Sequence, residues 1–554
     1  MPHKIPGKML LAAWSINNPH WIINQAYHIP LRKIFKIVVN FDPQEETYAH
    51  GKKAMNERFL AVLRKEKPDY IHLFLVWDEF YPETLVAIKE ILPNVKVTHW
   101  NGDDDIKFEN YTVPYSAAID YQLISQLQFT KKYDAYGLPW YDLLGADTNK
   151  FRPLHLPKKY DVVFVGTPKG DRLRYMRFLL TKGVNFTLAG AGWDAYPEFK
   201  ERYIGKVPDE EFIRLINQTK ISLCFSQNFF SSLHVLERSL AVNACNAFAL
   251  TEYVSGYFPK FTEGKDMVTF KNEQELVEKI NHYLKYEKER EQIAHTAFLK
   301  VTKQFSNDKM MGDAFRAIEQ DTRELNGIRN QKYLVQKPLY LEQEDLRKGI
   351  RYLTEKSKGH RYIAFKHACH ENLPYRDYFQ MYAMDLVGKP FSICDASLSS
   401  RLIGDYATLS LYYSYTYYPD KTYTYANADI SQFMVRTDYF LKHVSQFASL
   451  YKGKLPTFIT SQNTHFVSMP LVRSNLIKPL PLHNIDHILF LHIERELLVL
   501  RNQKQLWRSS YLYRLLFYSL FINQQIGKQL LVNVIPKAKN ARLTNVAQFL
   551  TRFL

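Results

Sequence analysis

The feature that most constrains this chain is a strand that runs into a glycine turn, twice, with a carboxylate following. Tyr160-Asp-Val-Val-Phe-Val-Gly166 is a short apolar run ending on glycine. Leu188-Ala-Gly-Ala-Gly-Trp193 repeats the pattern one helix later, and Glu237 follows on a later helix. Short continuous apolar runs closed by small residues are the mark of strands buried on both faces of a parallel sheet. Where such a strand ends, glycine lets backbone N–H groups approach a diphosphate, and a carboxylate further along can meet a ribose.

The same alternation of β-branched runs and helical spacing extends to both sides. Residues 9–14, 34–40, 67–76 and 95–100 read as strands, with helical spacing over 49–65 and 84–91. From residue 160 a second series begins, with strands at 161–165, 185–188, 220–225 and 247–250 and helices at 172–182, 210–217, 233–244, 273–283 and 287–305. Residues 154–159, with Pro153 just before them and Pro157 within, show no periodicity, so they read as a linker between two halves rather than the middle of one long sheet. The expected fold class is α/β: a Rossmann-like domain over 1–155, a nucleotide-binding one over 156–325, and a C-terminal domain over 335–554 that is α+β or mostly α.

Charge divides the chain further. The net charge is +17, yet residues 1–325 carry 43 basic against 41 acidic residues, while 326–554 carry 30 against 15. The basic, tyrosine-rich part therefore suits an anionic partner. Cys224, Cys245, Cys369 and Cys394 form no CxxC pair, which fits a reducing, cytoplasmic setting. No apolar run reaches the length of a membrane span.

In their order and spacing, several pieces resemble the CgeB/YkvP-type glycosyltransferases, relatives of the group 1 transferases of GT-B fold. They are Lys67-Pro-Asp69, Trp100-Asn-Gly-Asp-Asp-Asp105 with Phe108, Asp161–Gly166 with Arg172, Gly190-Ala-Gly-Trp193, Lys220-Ile-Ser-Leu223, Val235-Leu-Glu237 and Ala247-Phe-Ala-Leu-Thr251. The resemblance covers the first 320 or so residues. It implies transfer of a sugar from a nucleoside-diphosphate sugar to a glycan, lipid-linked or protein acceptor in glycan biosynthesis, without a metal or other cofactor. The sequence departs from the family at His234, where an arginine is usual, at Asn246, where glycine is usual, and at Phe229, where retaining relatives carry a second glutamate. These departures keep a second reading open, a catalytically inactive GT-B-like binding or scaffold protein.

On these grounds the donor-binding candidates are Gly166, Thr167, Lys169, Arg172, Gly190, Gly192, Trp193, His234 and Glu237. Glycine permits close backbone approach, Lys169 and Arg172 neutralise phosphate charge, and Glu237 accepts the ribose hydroxyls. The catalytic candidates are Glu237 together with an acceptor-side base, either His20 in the loop after the first strand or one of Asp103, Asp104 and Asp105. No metal site is expected in this module.

Residues 360–480 bear a weak resemblance to a family 2, GT-A-type transferase, with His367, Cys369 and His370 where acidic metal ligands belong. Hard carboxylates hold Mg²⁺ or Mn²⁺, and histidine and cysteine do so poorly, so the resemblance implies a truncated relic. Within 487–531, Leu506–Phe521 reads as a basic, aromatic helix suited to an anionic membrane surface or to docking. No nucleic-acid-binding signature is present, which makes nucleic acid an unlikely partner.

Overall fold

The computed structural model describes residues 4–13, 27–50, 52–75, 79–227, 233–367, 370–399, 430–452 and 463–475. His20, Phe229, Cys369 and the segment 487–531 lie outside these residues.

The first sheet contains β1 (Ile5–Ala13), β2 (Phe35–Phe41), β3 (Tyr70–Phe74), β4 (Lys96–Asn101), β5 (Tyr121–Ile124) and β6 (Trp140–Asp142), in the order β2-β1-β3-β4-β5-β6. Every pairing in it is parallel. The second sheet contains β7 (Tyr160–Val165), β8 (Phe186–Ala189), β9 (Thr219–Cys224), β10 (Ala249–Glu252) and β11 (Val268–Phe270), in the order β11-β10-β9-β7-β8. It too is parallel throughout. Counted from its own first strand, the second sheet runs 2-1-3-4-5 and the first 2-1-3-4-5-6. The architecture is thus α/β, two Rossmann-like domains in one chain as in the GT-B fold, because buried strands alternate with helices that cover both faces.

The second domain has its own apolar core, in which Phe164, Trp193, Ile221, Phe225 and Phe270 pack against Tyr175, Leu276 and Ile280. The first domain shares its core with later parts of the chain on both faces of its sheet. One face of its sheet (Met9, Leu11, Phe35, Tyr70) is covered by Met310, Met311, Ala314, Phe315 and Ile318, all on the helix Asn307–Gln320. The sequence places that helix in the 156–325 domain, but its apolar stripe returns to the first sheet. The two connectors pair as they cross: Ala146 N–H donates to the Phe305 carbonyl at 2.9 Å, and Asn307 N–H to the Ala146 carbonyl at 2.8 Å.

The other face of the first sheet merges with a third module. Its mixed sheet contains β12 (Leu339–Leu341), β13 (Tyr362–Phe365), β14 (His370–Asn372), β15 (Phe391–Ser399), β16 (Phe433–Arg436) and β17 (Thr464–Asn475), in the order β12-β13-β16-β15-β17-β14. Over the described residues this module is α+β. Its helix Arg376–Val387 puts Tyr378, Phe379, Met381 and Tyr382 into one cluster with Tyr111, Tyr115, Ile71 and Leu85 of the first domain.

Candidate functional site

The order of the second sheet reverses at β7: the chain passes from β7 to β8 on one side and returns to β9 on the other. The crevice beyond the carboxyl ends of β7 and β9 is where open α/β sheets bind ligands. Three segments line it, namely the loop from Gly166 to Asp171, the segment Phe225–Gln227, and the start of the helix Arg238–Ala244.

The glycines fix the loop geometry. Gly190 has φ +119°, and a Cβ there would lie 2.4 Å from the Gly166 carbonyl oxygen. The two turns are joined by Gly166 N–H donating to the Ala189 carbonyl at 2.8 Å and by the Trp193 indole N–H donating to the Gly166 carbonyl at 2.7 Å. Gly192 also has a left-handed backbone, φ +92°. Trp193 is buried in the domain core. Gly190, Gly192 and Trp193 therefore shape the crevice by holding one turn against the other.

Three cations converge on the crevice. Arg172 is buried and donates to the carbonyls of Thr167 (3.3 Å) and Gln227 (3.0 Å). Arg238 donates to the Val165 carbonyl, and its guanidinium approaches to 3.2 Å of where a Gly166 Cβ would stand. Burial, reinforced by Arg172 and Arg238, lowers the Lys169 ammonium to about 8. Burial and then Arg238 lower Arg172 to about 9. Cations that depress one another in a cleft mark a place where an anion is favoured. Arg238 was missed in the sequence; its adjacency to Glu237 was the only signal.

Glu237 stands at the N-cap of the helix Arg238–Ala244, not within a helix starting at Leu233 as the sequence suggests. Residues 234–236 are not helical because they bridge the domains: Val235 exchanges hydrogen bonds with the Gln126 amide, both at 2.9 Å, and His234 N–H donates to the Ser226 carbonyl at 3.0 Å. Burial pushes the Glu237 carboxyl up to about 7. It borders a small cavity shared with Tyr27, Leu143 and Asn307. An N-terminal helix end supplies amides and positive potential beside such a group.

The acidic run of the first domain divides three ways. Asp103 is about half exposed and lies 3.6 Å from the Lys107 ammonium. Asp104 points into the domain, where its carboxylate accepts from Tyr133 (2.9 Å) and Thr112 (3.0 Å); burial pushes it up to about 7. Its place is structural, and the cleft-facing role expected for it is not where its side chain lies. The Asp105 carboxylate reaches across the domain boundary to within 3.8 Å of His234 Nδ1, and both side chains are buried. Burial lowers His234 to about 4, so the imidazole is neutral at neutral pH. Asn246, where the resemblance leads one to expect glycine, has φ +54°: the position needs a left-handed backbone, which asparagine tolerates.

Residues 172–315 match a family model described as glycosyl transferase-like. No curated protein matches the chain. Among solved structures, it is similar to Anabaena Alr3699/HepE in complex with UDP (13% identity, TM-score 0.43, covering 57% of this chain and 100% of that one). It is also similar to a sucrose-phosphate synthase from Thermosynechococcus elongatus (11%, 0.43, 56% and 99%) and to a glycosyltransferase from Rickettsia africae (11%, 0.41, 57% and 98%).

Proposed function

We propose that the protein is a glycosyltransferase that uses a nucleoside-diphosphate sugar. The observation carrying this reading is the convergence of Lys169, Arg172 and Arg238 at the point where the strand order of the second sheet reverses, with Glu237 at the N-cap of the helix that Arg238 begins. In the proposed mechanism the donor diphosphate lies against these cations and the Gly166 loop, which stabilise the charge that builds on the departing diphosphate. Glu237 accepts the ribose hydroxyls, and that contact favours its ionised form. Asp105 and the neutral His234, facing each other at the domain boundary, are the acceptor-side pair, with His234 able to take a proton. His20 and Asp103 stay as alternative bases.

The test is thermal-shift binding against UDP-, GDP-, TDP- and CMP-sugars. Stabilisation by one donor, lost in Glu237→Ala, is the expected result. No shift with any donor would overturn the reading. One observation favours the second reading, an inactive binding protein: Arg172 and Arg238 already donate to backbone carbonyls. Donor binding without turnover in an acceptor screen would select it.

A further inference from the structure

The end of the second domain opposite the donor crevice carries a pocket that the proposed reaction leaves unused. It encloses about 370 Å³ where the connector from the first domain reaches the second sheet, between residues 153–158, the turn at Cys245 and Asn246, and the helix Glu287–Gln304. Its wall presents Lys158, Lys220, Arg290, His155 and His295 against one acid, Glu291. Lys220 is paired with Asp161 at 2.7 Å and Arg290 with Glu287 at 2.8 Å. Lys158 differs. Among the described residues its ammonium donates to the Asn217 carbonyl at 2.9 Å and forms no ion pair. Lys158 as a residue is exposed, but desolvation of its ammonium, then the neighbouring Arg290, lowers its pKa against the opposing pull of Glu291, so an anion there would be favoured by charge and by relief of repulsion.

The wall is built in advance. Two of the four non-glycine residues with left-handed backbone among those described, His155 (φ 51°) and Asn246 (φ 54°), stand on it. Such conformations persist where the surroundings over-determine them. Here Asn217 supplies the restraint, accepting from Leu154 N–H at 2.8 Å and donating to the Arg152 carbonyl at 3.2 Å. The Cys245 thiol is pushed up to about 12 by burial, so the wall offers no thiolate to a soft metal. What it offers is a cation with donors to spare and two imidazoles. This is the chemistry that recognises a compact oxyanion with several acceptors.

We infer that this pocket is a binding site for a phosphate-class anion, anchored by Lys158 and flanked by His155 and His295, and distinct from the donor crevice. The inference stands without the donor assignment. The test titrates the full-length protein with inorganic phosphate and, separately, with glycerol phosphate, by calorimetry at constant ionic strength. Lys158→Ala is expected to weaken phosphate binding about tenfold, the loss that one charge-assisted hydrogen bond implies. Lys158→Arg keeps the charge and retains binding. Arg238→Gln, in the donor crevice, leaves the Lys158-dependent binding unchanged. Either order of the two affinities supports the site and identifies whether free phosphate or a phosphomonoester suits it. No binding to the wild type, or binding lost in Arg238→Gln and kept in Lys158→Ala, would overturn the inference.

Discussion

The first domain is joined on two sides, and the two seams are made of different chemistry. Toward the third module the seam is aromatic and sealed. Tyr378 donates to the Ala117 carbonyl at 2.6 Å, the Tyr382 and Ser116 hydroxyls meet at 2.8 Å, and Phe379 and Met381 share a core with the first sheet. Toward the second domain, apolar contacts such as Ile124 and Leu127 on Val235 and Leu240 are edged by polar bridges. Gln126 holds Val235, Asp105 faces His234, and buried Lys260 reaches the Leu144 carbonyl (2.6 Å) and Asp142 (2.8 Å). A sealed aromatic seam makes two modules one cooperative unit. A seam edged by ionisable groups places those groups where a ligand can change their partners.

The sharpest way to break this contrast is Phe379→Ala. Truncating a fully buried aromatic costs about 3–5 kcal/mol, and denaturant unfolding should show the first domain and third module lost in one transition. Separate transitions would mean that the seam is not a shared core. Gln126→Ala acts on the other seam. It strips partners from both backbone groups of Val235, a loss of about 1–3 kcal/mol for each group left unsatisfied. Its larger signature should be weaker nucleotide-sugar affinity in calorimetry, because Val235 leads directly into Glu237. Unchanged affinity would separate the seam from the site.

Per unit of change, the smallest effect is the one with pH. Glu237 and Asp104 are both held near 7, chiefly by burial, whereas in an unfolded chain they ionise near 4. The folded protein therefore holds more protons between about 4 and 7, and stability should fall as pH rises through that window. The penalty is absent below it, where both groups are neutral in both states. Each group contributes a slope of at most about 1.4 kcal/mol per pH unit. Glu237→Gln and Asp104→Asn should each flatten part of the profile in urea denaturation. Saturating donor should alter only the Glu237 share, since Asp104 lies inside the domain.

Local chemistry that repeats along the chain was legible in the sequence. The run Asp161–Gly166 can only be a strand entering a tight turn, and the glycines at 190 and 192 mark the second turn; both stand where the pattern places them. The start of the Glu237 helix was not legible, because helical spacing over 233–244 cannot reveal that Val235 is drawn out to meet Gln126 from another domain. Arg238 was hidden for a related reason: a basic residue on a helix ordinarily faces solvent. Nor does a sequence distinguish the apolar stripe of the helix Asn307–Gln320 from that of any other amphipathic helix, though its partner is a sheet some 300 residues earlier. Non-local packing decides these positions, and single-residue patterns carry no record of it.

The paired crossing at Ala146 and Phe305 bears on how the protein is made. The second domain is an insertion whose ends are held together, and the first domain stays unfinished until the insertion has been synthesised. While the ribosome builds residues 147–305, the face bearing Met9, Leu11 and Phe35 waits for Met310 and Phe315, which leave the exit tunnel only after the insertion. The self-contained second domain can close meanwhile, but the first spends that interval with an apolar sheet face exposed, a state that invites aggregation or capture by a chaperone.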